Sequence, residues 1–350
     1  MGAIALSPTN IVNNQLTYDK DNTYISISKY DESPEIMIKQ GDVIFVKTGS
    51  TVGKVAYVDK LICKTTLNPQ VVVLKDIKCD NYILSVIMST RKFQNKIQRI
   101  TVGGAVPTLS QVAMGNIFIS LPTAKEQEKI SKFISLIDER IATQNKIIED
   151  LKKLKSAIIE IEYTPNTKTT SPIGDVIEQI SKRNKNNAIQ NVLSVSNRQG
   201  FIKQSDQFEN RNVASEDTSN YKIVEQNDFA FNPARINVGS IARLTTFEKG
   251  IVSPMYVCFR TQENVAPEYI DYFFESKHFY CEIQKRLEGS VRQCLSFEGL
   301  CNIPLSLPSF EIQQRIGKRI FTLEQKIKME TDLLELLNKQ KQYLLRQMFI

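Results

Sequence analysis

Gly41-Asp42-Val43-Ile44-Phe45-Val46 and Asn227-Asp228-Phe229-Ala230-Phe231-Asn232 are two copies of one pattern, in which Asp precedes a short apolar run. A shift of 186 residues brings them into register and aligns the two halves of the sequence, without a gap, from about Gly41 to the end. The same shift aligns Gly53 with Gly239, Val71–Leu74 with Val257–Arg260, Thr108–Ser110 with Cys294–Ser296, Ile119–Pro122 with Leu305–Pro308, and Gln127 with Gln313. Agreement at separated places indicates an internal repeat.

Each repeat begins with a part of mixed α/β character. Short runs of β-branched and aromatic residues, such as Val43–Val46 and Val71–Leu74, predict strands. Helical patterns lie between such runs, at 82–100 and 269–287. The predicted fold class is therefore α+β, with two mixed α/β domains.

Each repeat ends in one long helix, for which Pro122-Thr123 and Pro308-Ser309 supply a suitable stop and N-cap. Apolar residues then recur at alternating steps of four and three, which is the 3.5-residue period of a coiled coil. They are Ile130, Ile134, Ile137, Ile141, Ile148, Leu151 and Ile158 in the first helix, and Ile316, Ile320, Leu323, Ile327, Leu334, Leu337, Leu344 and Met348 in the second. Packing of each helix on its own domain is the alternative to mutual pairing.

Two such helices can pair antiparallel if the chain folds back. Polar residues interrupt the apolar pattern at equivalent places, since Gln144 matches Glu330 and Lys155 matches Lys341. Buried polar residues often fix the register of a coiled coil. We predict the register that places Lys155 opposite Glu330, because it also places Gln144 opposite Lys341.

The repeat divides the chain into four segments, with α/β domains at 1–122 and 164–308 and long helices at 123–163 and 309–350. The second domain opens with Ser171–Ile177, which has no counterpart in the first. The first domain is thus about sixteen residues shorter at its start. We expect it to be N-terminally short.

Composition excludes several classes of protein. Hydrophobic residues make up 41% and charged residues 24%, as in globular proteins. No apolar run reaches the roughly 18 residues of a membrane span, and no signal peptide is recognised, so a cytoplasmic protein is expected. The cysteines lack CxxC spacing and His278 is the only histidine, which disfavours a zinc site. The net charge of +7 is compatible with a polyanionic partner.

Two short motifs suggest catalysis but do not fit it. Gly49–Lys54 has three residues between its glycines, where a P-loop needs four, and Val55 follows the lysine. Asn232–Arg235 lacks the second proline and the aromatic residue with which amino-methyltransferases hold a flipped adenine. No catalytic residue, cofactor or metal ligand is predicted.

The chain resembles the specificity subunits of type I restriction–modification systems. Gly41–Val46 leading into Thr48–Ala56 is typical of their target-recognition domains. Pro107–Ser110, followed by Ile119–Pro122 and Glu126–Ile130, is typical of the junction with their conserved helices. The resemblance covers nearly the whole chain.

The resemblance implies a non-enzymatic protein that binds double-stranded DNA. Each of two target-recognition domains would read one half of a bipartite DNA target. The two antiparallel coiled-coil helices would space the domains and bind two methyltransferase subunits, to which restriction subunits can be added. DNA methylation and cleavage would then be the work of the partners.

Residues expected to touch DNA lie mainly in two turns of each repeat. Arg and Lys suit guanine edges or phosphates, Asn suits adenine, and Ser or Thr suits either. The candidates are Lys47, Thr48, Ser50 and Lys54 after the shared strand of the first repeat; Arg235, Asn237 and Ser240 in the second; Thr101, Gly104, Ser290 and Arg292 before the long helices; and Arg91, Lys92 and Arg198 as phosphate contacts.

One further function class stays open on the residues alone. A non-enzymatic coiled-coil adaptor would have the same long helices, and its heads would bind protein. Salt-dependent DNA binding separates the two functions, because each neutralised phosphate releases counterions.

Overall fold

The computed structural model describes residues 2–18, 22–164, 170–197, 199–207, 217–289 and 293–349. The chain divides into two compact units, one formed by Met1–Asn145 with Leu333–Ile350 and the other by Lys146–Asp332. Each unit takes the α/β part of one repeat, here called its head.

The first head consists of short strands and helices. Its strands are β1 (Ala3–Leu6), β2 (Ile11–Val12), β3 (Gln15–Leu16), β4 (Thr23–Ile25), β5 (Val43–Val46), β6 (Val55–Tyr57), β7 (Thr65–Leu67) and β8 (Val71–Leu74). Its helices are α1 (Ile27–Asp31), α2 (Asn81–Ser89), α3 (Arg91–Ile100) and α4 (Gln111–Gly115), with 3-10 turns at Pro8–Asn10 and Pro34–Ile36. One sheet has the order β2-β3-β6-β5-β8 and another the order β4-β1-β7.

The central strand β5 is buried on both faces, which explains its uninterrupted apolar sequence. Ile44 and Val46 pack with residues of β1 in one core cluster. Val43 and Phe45 point the opposite way and pack with residues of α2 and α3. The shared motif of the two repeats thus forms the middle layer of its head.

A long helix, α5 (Ala124–Tyr163), leads into the second head. The strands of this head are β9 (Thr170–Pro172), β10 (Ile177–Ile180), β11 (Val192–Ser196), β12 (Gly200–Lys203), β13 (Lys222–Glu225), β14 (Phe229–Phe231), β15 (Ile241–Arg243), β16 (Lys249–Val252), β17 (Val257–Thr261) and β18 (Pro304–Ser306). Its helices are α6 (Gln204–Gln207), α7 (Pro267–Phe273), α8 (Lys277–Arg286) and α9 (Phe297–Cys301), with 3-10 turns at Ile173–Asp175 and Ile236–Val238; the long helix α10 (Phe310–Met348) follows.

The second head repeats the layers of the first. Its sheets have the orders β10-β17-β14-β15, β12-β11-β16-β13 and β18-β9. In the central strand β14, Phe229 and Phe231 belong to the core cluster with α7 and α8. Ala230 faces the other way, into the cluster of the second sheet. Mixed α/β heads and long helices agree with the predicted fold class.

Equivalent helix caps confirm the repeat at the level of single side chains. Thr90 caps α3 and Ser276 caps α8, each accepting a hydrogen bond from the main-chain N–H three residues on. Ser110 and Ser296 cap α4 and α9 in the same way. Such caps fix where each helix begins.

The gap-free alignment is wrong by one residue at one strand. Val43 lies opposite Leu74 in the first head, whereas Phe229 lies opposite Phe259 in the second. Leu74 therefore corresponds to Phe259, at a shift of 185 and not 186. The missing residue lies in the connection between β15 and β16. Val58 and Leu244, which donate to Asp42 O and Asp228 O, still match at a shift of 186, whereas Val71 and Tyr256, which donate to Asn68 O and Ser253 O, match at 185.

A buried glutamine anchors each head to its own long helix. Gln127 accepts a hydrogen bond from Asp80 N (2.9 Å) and donates to Pro122 O (2.8 Å). Gln313 accepts from Ala266 N (2.9 Å) and donates to Pro308 O (2.9 Å). We call this pattern the glutamine clamp; it joins the start of a head helix to the start of a long helix through main-chain groups alone.

The apolar stripe of both long helices faces inward, since every predicted position is buried or half-buried. In the second unit the helices run antiparallel, because Lys155 pairs with Glu324 while Glu162, further along α5, pairs with the earlier residue Arg319. The predicted antiparallel coiled coil is confirmed.

The predicted register is wrong. Lys155 contacts Glu324 (2.6 Å) rather than Glu330, and Lys341 forms its ion pair with Asp138. Lys155 and Lys341 are equivalent positions of the two repeats, and so are Glu324 and Asp138. The predicted equivalence of the two pairs was right, but the predicted partners, Glu330 and Gln144, were wrong.

A tyrosine from each head selects these acidic partners. Tyr82 Oη donates to Asp138 (2.6 Å), and Tyr272 Oη donates to Glu324 (2.8 Å). Burial, followed by the adjacent carboxylate, raises the pKa of both phenols, so each stays a donor. We call each set of tyrosine, carboxylate and opposing lysine a carboxylate triad.

Lys155 carries additional charge contacts. It also pairs with Glu275 (2.7 Å) and lies over the ring of Tyr272. Burial alone would lower the pKa of Lys155, but the charges of Glu275 and Glu324 outweigh it and raise the pKa. The lysine therefore stays charged and balances two carboxylates.

The predicted division follows the sequence repeat, with segments 1–122, 123–163, 164–308 and 309–350, and stays a prediction. The two compact units are bounded differently, because each contains part of both long helices. Among the residues that the structure describes, no helix is both long and apolar enough to cross a membrane.

A double-mutant cycle tests the register. We expect Lys155→Ala and Glu324→Ala to show a coupling energy of about 1 kcal/mol in urea unfolding, reduced from that of a buried pair because Glu324 is partly exposed. The pair Lys155→Ala and Glu330→Ala should show coupling near zero. Lys153→Ala, which removes an exposed lysine, is the control. Coupling to Glu330 in place of Glu324 would restore the predicted register.

Replacing the clamp glutamine tests its structural role. We expect Gln313→Ala to lower the free energy of unfolding by about 2–3 kcal/mol, because Ala266 N–H and Pro308 C=O lose their partner in a buried site. Gln342→Ala, at an exposed position of α10, should change it by less than about 0.5 kcal/mol. An equal effect of both changes in urea unfolding would refute the clamp.

Candidate nucleic-acid interface

In the first head, the turn between β5 and β6 (47–54) and the loop at 101–109 form one surface. Gly49 N donates to Pro107 O (2.9 Å), and Leu109 N donates to Lys47 O (2.8 Å). The loop closes on itself through a bridge between Val102 and Thr108. Two groups of candidate residues that are distant in sequence are thus brought together.

Glycines shape the turn and the loop. Gly49, Gly53 and Gly103 have φ of 104°, 100° and 102°, a left-handed conformation that residues with a Cβ rarely adopt. The N–H group of Gly49 donates to Pro107 O and that of Gly53 donates to Val46 O, so neither is available to a phosphate. The role of these two glycines is therefore conformational.

The candidate side chains of this turn differ in how accessible they are to DNA. Lys47 and Thr48 are half-buried and Ser50 is exposed. Lys54 donates to Ile11 O (3.0 Å) and Pro8 O (3.4 Å), which ties the turn to the N-terminal strands. The ammonium group of Lys54 thus supports the fold, and its expected DNA contact stays a prediction.

The first head presents two amides that the sequence did not single out. Lys47 N donates to Gln70 O, so the turn before β8 lies beside the candidate turn. Gln70 is exposed, with Asn68 next to it (3.5 Å between the side-chain amides). Amide side chains of this kind can read adenine. A strand pairing that the sequence does not specify brings them here.

The second head builds the same surface from residues 232–240 and the loop that begins at Leu287. Leu295 N donates to Pro233 O (3.0 Å), and Glu288 and Cys294 exchange main-chain bonds. Arg235 is exposed and Asn237 half-buried. Among the described residues, no hydrogen bond or ion pair occupies the guanidinium group of Arg235.

Ser240 is buried, and its expected DNA contact stays a prediction. It is 5% exposed, and its hydroxyl group donates to Val195 O (3.3 Å). Ser240 therefore holds the turn on β11. The turn also lies close to Asn197, whose Cβ would be 3.7 Å from a Cβ at Gly239.

The remaining candidates fall into three groups. Arg198, Ser290 and Arg292 lie outside the described residues. Thr101 caps its own helix by donating to Ile97 O, while Gly104 is exposed at the tip of the loop. Arg91 and Lys92 are exposed in the first turn of α3, and no contact of the described residues joins them to the candidate turn.

A basic cleft of about 860 Å³ lies in the second head, and sequence reasoning missed it. Its lining includes Lys182, Arg183, Lys185 and Lys249. Arg183 is held by Asn220 and Lys249 by Glu225. The run of basic and amide residues that starts at Lys182 was the available signal.

Two groups that often take part in catalysis, the Cys258 thiol and the His278 imidazole, are engaged in the fold. Burial raises the pKa of the Cys258 thiol to about 12. His278 Nε2 donates to Pro304 O (2.9 Å), because a carbonyl oxygen can only accept. No group of three or more His, Cys, Asp or Glu side chains that could hold a metal occurs among the residues described.

The two α/β heads carry matching turn-and-loop surfaces, which define an internally repeated protein. The family described as "Type I restriction modification DNA specificity domain" matches residues 6–153 and 165–339. The chain belongs to this family, as its sequence indicated. It is a non-catalytic subunit that recognises DNA in a restriction–modification complex.

Known proteins agree over most of their length. The type I restriction enzyme MjaVIII specificity subunit of Methanocaldococcus jannaschii is 24% identical over 338 residues, which cover 88% of this chain and 78% of that protein. The type I restriction–modification S subunit of M. genitalium has a TM-score of 0.57 at 15% identity, over 100% of this chain and 92% of that one. A chain from a study of complex assembly and conformational transition in the type I R-M system has a TM-score of 0.55 at 15% identity, over 100% and 91%. The two structures show the same fold.

Substitution of two lysines in the same turn distinguishes a structural role from a role in DNA binding. Lys54→Met should lower the free energy of unfolding by about 1–2 kcal/mol, because it removes the donor to Ile11 O and Pro8 O. Lys47→Met should leave it within about 0.5 kcal/mol, but weaken binding to duplex DNA and reduce the salt slope by about one. Urea unfolding and fluorescence anisotropy at several salt concentrations measure the two effects. Unchanged DNA binding in the Lys47 variant would exclude this contact.

Proposed function

We propose that each head reads one half of a bipartite DNA target through its turn-and-loop surface. The observation that carries the proposal is the recurrence of this surface in both heads on an equivalent main-chain framework. Gly53 and Gly239 both have positive φ, and so do Gly103 and Gly289 in the adjoining loops. A surface that has the same backbone conformation in both heads but different side chains is suited to recognise two different DNA sequences.

The side chains suggest two unlike half-sites. The first turn offers Lys47, Thr48 and Ser50, with Gln70 beside it. The second offers Arg235 and Asn237. Arg favours guanine and Asn favours adenine in the major groove, whereas Lys, Ser and Thr also serve phosphates. Two heads with different side chains therefore recognise different sequences.

The basic cleft of the second head supports an electrostatic contribution. Lys182, Arg183 and Lys185 concentrate positive charge in one concave region. Phosphate contacts supply much of the affinity of DNA-binding proteins without reading sequence. We assign this cleft to the DNA backbone.

The long helices supply a surface for the partner subunits. A solvated helix normally presents polar residues, and exposed apolar residues mark a docking surface. Exposed apolar residues of these helices are Phe133, Leu136, Ile147, Leu154 and Ile161 in α5, and Phe310, Ile312, Phe321, Met329, Leu333, Leu336 and Tyr343 in α10. We assign them to contacts with methyltransferase subunits.

The internal repeat also bears on stoichiometry. Two equivalent copies of helix and head favour two methyltransferase subunits, with restriction subunits as further partners of the assembled complex. The complex would act in the cytoplasm, where a cell without a nucleus keeps its DNA. Copurification with a methyltransferase subunit, at two copies per chain, supports this composition.

Exchange of one head tests the bipartite target. Replacing residues 171–308 by the corresponding head of another specificity subunit should change one methylated half-site and keep the other, because the first turn is untouched. Long-read sequencing of methylated motifs, in cells that carry the complex, measures the outcome. A change in both half-sites, or a spacer of variable length, contradicts the proposal.

Single substitutions refine the same experiment. Arg235→Ala should relax one position of the second half-site at a cost of about 1–3 kcal/mol in discrimination. Arg315→Ala, a charge removed from an exposed position of α10, is a matched control and should keep the motif. Absence of salt-dependent DNA binding, together with no methylated motif, would instead favour the adaptor function.

A further inference from the structure

Few large apolar side chains of the second head are exposed. Among its described residues they are Val238 (56% exposed), Met255 (59%) and Tyr280 (54%). This head carries the 170–180 segment, whose strands β9 and β10 pair with β18 and β17. Single exposed apolar residues are common on protein surfaces, so the position of these side chains decides what they mean.

Two of the three lie at the end of the sheet that carries the turn-and-loop surface. Val238 belongs to the turn at 232–240, which follows β14. Met255 lies in the turn that leads into β17. Phe231 lies opposite Val257, so both turns leave the sheet at the same end. The two apolar side chains therefore accompany the candidate DNA contacts of this head.

Val238 is also a close neighbour of Arg235, a candidate for base reading. Ile236–Val238 forms a 3-10 turn, and Val238 N donates to Arg235 O (3.2 Å). Side chains three positions apart lie on the same side of such a turn. The exposed side chains of Arg235 and Val238 thus lie close together.

In the first head, the exposed apolar residues of the turn-and-loop surface lie in the loop. Val102 is 69% exposed and Val106 59%. A Cβ at Gly103 would lie 2.7 Å from Val106 O, so the two sides of the loop approach each other closely. Glu288 and Gly289, the counterparts of Val102 and Gly103, are exposed as well. The loop is therefore also exposed in the head that carries the 170–180 segment.

The surroundings of these valines suit a polyanion better than a protein partner. α3, which ends where the loop begins, carries Arg91, Lys92, Lys96 and Arg99 and no acidic residue. A protein interface has a core from which charged residues are depleted. Duplex DNA instead presents phosphates beside base edges, and the apolar group of those edges in the major groove is the 5-methyl group of thymine.

We propose that these exposed apolar side chains contact thymine methyl groups, Val102 and Val106 in the first half-site and Val238 and Met255 in the second. The inference rests on the DNA-reading role proposed above and adds thymine to the bases assigned to Arg235 and Asn237. An apolar side chain shields a methyl group from water, whereas a polar group at the same place would lose water without gaining a partner.

The proximity of Arg235 and Val238 also places the thymine. Arg235 suits guanine, so its neighbour Val238 should contact a thymine in the same or the adjacent base pair step of the second half-site. In the first head the apolar contact comes from the loop, where the second head has Glu288, a side chain that suits cytosine. The two half-sites should therefore carry their thymines at different positions.

Uracil in place of thymine tests the contact, because it removes the methyl group and keeps the base pair. Duplexes that the full chain retains from a random library define the two half-sites, and each thymine is then replaced singly by uracil. Loss of one contacted methyl group should weaken binding about fourfold, the equivalent of one buried carbon, as measured by fluorescence anisotropy. Unchanged affinity for every uracil duplex overturns the proposal.

Variants assign each methyl group to a side chain. Val238→Ser with Met255→Ser should abolish the effect of uracil in the second half-site and keep it in the first, and Val102→Ser with Val106→Ser should do the reverse. Ile62→Ser is the matched control, because Ile62 is 60% exposed but lies in the connection that leaves the opposite end of β6. A variant that weakens thymine and uracil duplexes equally contradicts the methyl contact.

Failure of this inference is distinguishable from failure of the proposed function. Salt-dependent binding with equal affinity for thymine and uracil duplexes keeps the DNA-reading role and overturns the thymine contact alone. Absence of salt-dependent binding to every duplex contradicts the DNA-reading role, and the thymine contact with it.

Discussion

Two carboxylates on the long helices hold the parts of each unit in place. Asp138 and Glu324 each accept a hydrogen bond from a tyrosine of their own head and pair with a lysine of the opposite helix. In each unit a single carboxylate therefore fixes both the position of the head on its long helix and the register of the two helices. A slip of either helix would leave a partly buried lysine without its counter-charge, which is more costly than the loss of a surface ion pair.

The helices show what a sequence can predict and where it stops. The 3.5-residue period gave the inward stripe and the antiparallel pairing, because burial of apolar residues depends on spacing alone. It also singled out Lys155 and Lys341 as equivalent interruptions. It could not choose Glu324 over Glu330, since both lie on the same helix at compatible spacing. The choice is made by Tyr272, which comes from the head and has no place in a helical pattern.

The binding surface was predictable to a similar extent. The turn after the shared strand and the loop before the long helix were recognised separately, and main-chain bonds join them. The structural contacts of Lys54 and Ser240 could not be predicted, because their partners, Ile11 and Val195, belong to strands far away in the sequence. The basic cleft at Lys182 escaped notice because its charge becomes concentrated only when β13 and β16 close the other side.

The glutamine clamp contacts only peptide groups, at Asp80 and Pro122 in one unit and Ala266 and Pro308 in the other. Peptide groups are the same whatever side chains they carry, so the joint between head and helix is indifferent to the sequence of the head. A foreign head with the same backbone course can then be inserted by recombination without redesign of its attachment. Under the proposed function, a new specificity could then be acquired by replacement of a whole head, while the helices and the surfaces proposed for other subunits stay constant.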